Sequence, residues 1–142
     1  MSIALFVLSA CFALVLLCAK TARADIYKSD ALAAVEKNGV GGGRGMLHAR
    51  FSFTRDQPPK DHAVKEIGWL TLQPGDSIGV HTHATNEDVY VIVSGKGTFT
   101  DVDGTAHDAL PGDITIARKG QSHGLANTGT EPLVFISVIA EQ

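Results

Sequence analysis

Cysteine is nearly missing from this chain: of 142 residues, only Cys11 and Cys18 carry a thiol, and both lie in the first twenty. A disulfide-stapled scaffold is therefore excluded for everything that follows them. Basic tracts are lacking too. Lys and Arg number 12 against 15 Asp and Glu, a formal charge of −3, which argues against nucleic acid as a partner. There is no zinc-finger spacing and no internal repeat. The glycine run from Gly39 to Gly45 is not a phosphate-binding loop, because such a loop needs a strand before it and a helix after it, and here the order is reversed. Long apolar runs are confined to one place, residues 3–19, followed by Lys20-Thr21-Ala22-Arg23-Ala24 with its Ala-x-Ala ending.

That beginning reads as a secretory signal peptide spanning residues 1–24, cleaved after Ala24, which places the mature protein in the periplasm or outside the cell. The run lacks a preceding basic residue and is long for a signal core, so an uncleaved membrane anchor is the alternative; a span needs about 20 apolar residues. Cleavage takes 24 residues from 142 and leaves 118, with no cysteine and ten basic residues against fifteen acidic, a formal charge of −5. That length suffices for one domain.

Residues 25–45 are expected to form a short helix and a flexible glycine-rich linker. Ser29 or Asp30 caps the helix, Leu32 and Val35 share a face, and Asn38-Gly39 stops it. From Met46 onward the pattern is strand after strand. Leu47, Ala49, Phe51 and Phe53 alternate inward, with His48 outward and solvated. His62 falls in the loop after Pro58-Pro59. Turn signals recur at Pro74-Gly75, Ser94-Gly95, Asp103-Gly104, Pro111-Gly112 and Asn127-Thr128-Gly129, a rhythm that argues for a β-sandwich or barrel. Asp103-Gly104 is the strongest hairpin signal, and His107 in the strand after it reads as exposed. Trp69 reads as core. Leu133 to Ile139 is apolar on both faces, as is the segment around Ile78 and Val80, which are expected opposite the face of the nearby histidines. An outer sheet face so apolar needs a cover, either a second copy in a homodimer or the chain's own N-terminal segment.

The stretch from Gly75 to Gly95 carries the chemistry. His81 and His83 stand two residues apart in a strand-like run, so alternation points both rings to one face as a chelating pair. Glu87-Asp88 opens the returning strand Val89-Tyr90-Val91-Ile92-Val93, and one of these carboxylates would close a metal site. Asp88 shares a face with Tyr90 and Ile92; Glu87 takes its place if the strand bulges.

These residues resemble the first motif of the cupin superfamily, G(X)5HXH(X)3,4E(X)6G, with Gly75, His81, His83 and Gly95 in register and Asp88 where the family has glutamate. The second motif, G(X)5PXG(X)2H(X)3N, is matched from Gly112 through Gly120 and His123 to Asn127, with Arg118 in place of the proline. The resemblance implies a double-stranded β-helix, or jelly-roll barrel, over residues 46–142. It also implies His123 as a further ligand from an opposing strand, and it too suggests a homodimer. Three imidazoles and a carboxylate suit one divalent transition metal, Fe, Mn, Ni, Cu or Zn, with positions left open for a small molecule.

Two functions are compatible with such a site. One is a metalloenzyme of dioxygenase, isomerase, lyase or decarboxylase type, with oxidoreductase the leading class, acting on a small oxygen-rich compound. In it Tyr90 is the candidate to orient substrate or donate a proton, although a tyrosine there also serves as core. The other is a non-catalytic binding or storage module for a metal or a sugar-like ligand. Arg118 either turns inward toward an anion or joins Lys119 in an exposed turn.

Overall fold

The computed structural model describes residues 24–141; the leader read at residues 1–24 otherwise lies outside the described residues. Ten strands follow one another: β1 (Ala33–Asn38), β2 (Met46–Phe53), β3 (Val64–Leu72), β4 (Ser77–Thr82), β5 (Glu87–Ser94), β6 (Gly97–Thr100), β7 (Ala106–Ala109), β8 (Ile114–Ala117), β9 (Ser122–Asn127) and β10 (Leu133–Ala140). They form two antiparallel sheets, one ordered β1-β2-β3-β10-β5-β8 and the other β4-β9-β6-β7. This is the expected jelly-roll sandwich. Among the described residues no helix is long and apolar enough to cross a membrane.

The core lies between the sheets and follows from alternation along each strand. Leu47, Ala49 and Phe51 of β2, Leu70 and Leu72 of β3, Tyr90 and Ile92 of β5 and Leu133 and Phe135 of β10 all face inward. Leu125 of β9 and Ile78 of β4 meet them from the other sheet. Asn127, which ends the second motif, ties the layers together. Its amide donates to the Leu72 and Glu131 carbonyls at 2.8 Å each, and its oxygen accepts from the Gly129 amide at 2.9 Å.

The segment read as a helix is not one. Ser29–Ala31 makes a single 3-10 turn, and from Ala33 the chain is an edge strand paired residue for residue with β2, Ala33 opposite Phe51 through Asn38 opposite Met46. A lone helix of about ten residues is marginal in water, whereas the β2 edge satisfies the same backbone groups and accepts Val35 on its buried face. The domain therefore begins at Ala33, not at Met46.

Nor is the glycine run a loose linker. The Gly42 amide bonds the Gly39 carbonyl at 3.0 Å and the Gly43 amide bonds the Val40 carbonyl at 2.9 Å. The turn then docks on β4 through the Ser77 amide to the Arg44 carbonyl at 2.8 Å. Gly43 and Gly79 are glycine because the backbones touch: a Cβ on Gly43 would sit 2.1 Å from the Ser77 oxygen, and one on Gly79 would sit 2.3 Å from the Gly41 oxygen.

Three smaller expectations are also corrected. Phe53 leaves the inner face, because the β2–β3 register slips between Phe51 and Phe53, and its ring meets Tyr27 edge-on at 5.7 Å. Trp69 is not core but 46% exposed. The inner positions of β3 are Glu66, Gly68, Leu70 and Leu72, which leaves Ile67 and Trp69 outside. There they border a groove shared with Ile26, Tyr27 and Leu32, so the N-terminal segment lies along part of the apolar outer face. Ile78 is buried while Val80 is 53% exposed, for a reason that belongs to the site.

Candidate metal centre

The two sheets supply the site jointly. His81, next to last in β4, lies directly opposite His123 on β9, so the two rings rise from one face. His83 continues that register past the end of β4. Its amide bonds the Gln121 carbonyl at 2.9 Å, and its carbonyl accepts from the Gly120 amide at 2.7 Å. Strict alternation would put Ile78 on the face opposite these histidines. Instead the β4–β9 register slips between Ile78 and His81, and this bulge turns both the apolar anchor and the metal-facing rings inward. Gly79, where the glycine turn presses against β4, sits within it.

Across the sandwich, β5 contributes the carboxylate. Asp88, Tyr90 and Ile92 face inward, and Asp88 is only 3% exposed. Glu87, the other candidate, points away: its side chain is 44% exposed and lies 3.9 Å from the Arg118 guanidinium. Asp88 thus takes the motif's acidic position, and Arg118 belongs to the exposed turn rather than to the site. His48 faces outward beside Glu36, His62 is exposed, and His107 is exposed near Asp101.

The donor atoms converge. His83 Nε2 is 3.1 Å from His81 Nε2 and 3.0 Å from His123 Nε2. Asp88 Oδ2 lies 3.6 Å from His83 Nε2 and 3.5 Å from His123 Nε2. One donor from each residue falls within 4.8 Å of all the others. The far sides of the rings decide what the near sides can do. His81 Nδ1 is 2.9 Å from the Gly79 carbonyl and His83 Nδ1 is 2.8 Å from Asn86 Oδ1, both acceptors, so each neutral ring carries its proton on Nδ1.

Their Nε2 lone pairs then face each other at 3.1 Å, which is repulsive unless a cation lies between them. A proton could bridge one pair of nitrogens, but four donors sharing one point suit a metal ion. Bonds of about 2.1 Å meeting at a right angle separate two nitrogens by about 3.0 Å, and a tetrahedral angle separates them by about 3.4 Å. The nitrogen spacings of 3.0 and 3.1 Å and the nitrogen–oxygen spacings of 3.5 and 3.6 Å bracket these values, so His81, His83, Asp88 and His123 would fit around one ion.

Burial tunes the site. Desolvation holds His81 below its ordinary 6.5; the Gly79 carbonyl opposes this, the neighbouring His123 and His83 reinforce it, and Asp88 opposes it. The Tyr90 hydroxyl is pushed well above its ordinary 10 by burial first and by the Asp88 carboxylate second, so it stays neutral. The Tyr90 ring stacks on His123 with centroids 4.7 Å apart and meets Phe135 edge-on at 4.9 Å, so this residue braces a candidate ligand and also lines the cavity. Two supporting residues were invisible in the sequence. Ser137 on β10 donates to Asp88 Oδ1 at 3.0 Å, and Asn86 orients His83. Nothing near them in the chain marks Ser137, because it reaches Asp88 only through the β10–β5 pairing. The His123 Nδ1 is buried without a hydrogen-bond partner among the described residues.

Beside the donors is a cavity of about 50 Å³ whose walls include Lys37, Arg55, Glu66 and Ile139 as well as the site residues. A single water needs about 10–15 Å³ of such space, so the cavity suits a ligand of a handful of heavy atoms.

Known proteins resemble this chain. An oxalate-binding protein of Thermotoga maritima is 26% identical over 114 residues, 80% of this chain and 92% of its own. A gentisate 1,2-dioxygenase of a Ralstonia species is 34% identical over 73 residues, 51% of this chain but only 20% of that enzyme. The crystal structure of a predicted oxalate decarboxylase from Thermotoga maritima superposes with a TM-score of 0.74 at 25% identity, covering 83% of this chain and 100% of that one. A family model described as the cupin domain matches residues 68–139, the span that holds His81, His83, Asp88 and His123. By that match across half its length, and by the sandwich that carries it, the chain belongs to the cupin family.

Proposed function

We propose that this is an exported, metal-dependent cupin enzyme acting on a small oxygen-rich carboxylate. His81, His83, Asp88 and His123 would hold one divalent ion of Fe, Mn, Ni, Cu or Zn. The observation that carries the reading is the convergence of three Nε2 atoms on one point beside a cavity of about 50 Å³ that includes two cationic side chains. A cavity of that size favours a two- or three-carbon acid over a sugar ring. The Thermotoga maritima matches, one named as oxalate-binding and one as a predicted oxalate decarboxylase, suggest the same ligand chemistry. Such a metal, when bound, supplies Lewis acidity to a carboxylate oxygen and, if redox-active, one-electron chemistry. The protein's own part is to orient the acid with its cations, keep bulk water from the buried Asp88 and His123, and hold a proton on the Tyr90 hydroxyl. Decarboxylation or oxidative cleavage is the reaction type this set of groups serves best.

Export is supported by the apolar leader ending at Ala22-Arg23-Ala24. A homodimer is supported by Ile114 and Ile116, exposed on the edge strand β8.

A second reading, non-catalytic binding of the same acid, is favoured by the relative named for binding alone. Elemental analysis of protein recovered from its native compartment, followed by assays of carbon dioxide release and oxygen uptake on oxalate, catechols and sugar acids, separates the two. An enzyme consumes substrate many times per metal ion; a binder only raises the melting temperature by mass action. Protein that carries no stoichiometric metal overturns both.

A further inference from the structure

We infer that Lys37 sets the charge preference of the cavity, making it selective for a dicarboxylate over a monocarboxylate; this rests on the reading of a metal-held carboxylate given above. Lys37 lies in the segment that sequence patterning assigns to a helix. On β1 it sits opposite Leu47, and residues directly opposite in an antiparallel pair share a face. Leu47 is a core residue, so the lysine occupies an inward position of an edge strand. Its ammonium lies over the Phe51 ring, 5.5 Å from the centroid, and both residues border the cavity that His81, His83 and Asp88 also border.

The charges around this space make the lysine distinctive. Arg55 and Glu66 face each other at 3.8 Å and offset one another. Tyr90 is neutral. A divalent ion at three neutral imidazoles and the Asp88 carboxylate retains one positive charge. Lys37, which has no ion-pair partner among the described residues, adds a second. A small space carrying two positive charges, one at the metal and one on a lysine that lines the same walls, complements a short dianion. A monocarboxylate on the same metal turns a methyl group or a hydrogen toward the ammonium and gains nothing from it.

The test is titration calorimetry on the Mn(II)-loaded full-length mature protein, with oxalate and acetate as the two probes. Lys37→Met keeps the packing over Phe51 and removes only the charge. Oxalate binding should weaken about 10–100-fold, the usual range for losing a hydrogen bond to a charged group, and acetate binding by less than about threefold. Lys37→Arg should retain the wild-type preference for oxalate. Manganese content should be the same in all three proteins, since Lys37 is not a ligand, and the arginine variant controls for folding. If Lys37→Met holds its metal and still binds oxalate as tightly as wild type, or loses both anions equally, the lysine only covers Phe51 and the inference fails while the metal-carboxylate reading stands. If the wild-type protein takes up no metal, or binds neither anion, that reading falls and this inference with it.

Discussion

Replacing Ser137 by alanine asks whether the centre is held by its surroundings or by its ligands alone. The Ser137 hydroxyl donates to Asp88 Oδ1 at 3.0 Å, and both residues are 3% exposed, so bulk water does not take its place. The other carboxylate oxygen is the one aimed at the imidazoles, 3.5 Å from His123 Nε2 and 3.6 Å from His83 Nε2. A hydrogen bond to a charged acceptor contributes about 1.5–3 kcal/mol. At about 1.4 kcal/mol per factor of ten, its loss converts to a metal affinity about 10–100-fold weaker. Losing a hydrogen-bond partner of a metal ligand gives a similar range by a separate route, so the two agree. The assay is competition for Mn(II) or Zn(II) against a chromophoric chelator, with circular dichroism confirming that the sheets persist. An affinity within about twofold of wild type would refute the reasoning, because Asp88 would then be positioned by something else or would not bind the ion.

Two further outcomes follow from the same geometry. Asp88→Asn should lower metal occupancy by more than about tenfold while Glu87→Gln leaves it unchanged, since only Asp88 faces the imidazoles and Glu87 faces Arg118; elemental analysis of the two proteins checks this. His81 is held below its ordinary 6.5 chiefly by burial, so as pH falls the unfolded chain takes up its proton first. Its contribution to the stability of the metal-free protein is therefore present above about pH 6.5 and is lost as pH drops toward the folded-state value. Urea midpoints should be lower at about pH 5.5 than at about pH 7.5, and metal should be released over the same descent. A midpoint that rises on acidification would contradict the sign.

How much of the site could be read from the chain depends on how local each signal is. His81 and His83 were legible because alternation is a property of one strand, and the ring directions need no partner to define them. His123 was legible only through its place in a family motif, since 40 residues separate it from His83 and no periodicity spans that gap. Choosing between Glu87 and Asp88 needed the phase of β5, which the pairing with β10 determines. The helix expected at Ser29–Asn38 failed for a similar reason: its local pattern is weak, and the free edge of β2 offers those residues a ladder that no short window of sequence reveals. Trp69 was misplaced because its large apolar ring outweighed the phase of its own strand, in which Gly68 faces Phe51 and the tryptophan must face out.

By itself the sequence determined the succession of strands and turns from Met46 onward, the all-β architecture and the direction of two imidazoles, because turn chemistry and strand alternation act over a few neighbouring residues. Only the tertiary structure decided that a bulge in β4 brings Ile78 and His81 to the same side, that Ser137 holds the carboxylate, and that Lys37 on the first strand borders the cavity. Each of these depends on which strand lies beside which, and that is settled by the joint burial of both sheets, a property of the whole chain that no segment carries alone.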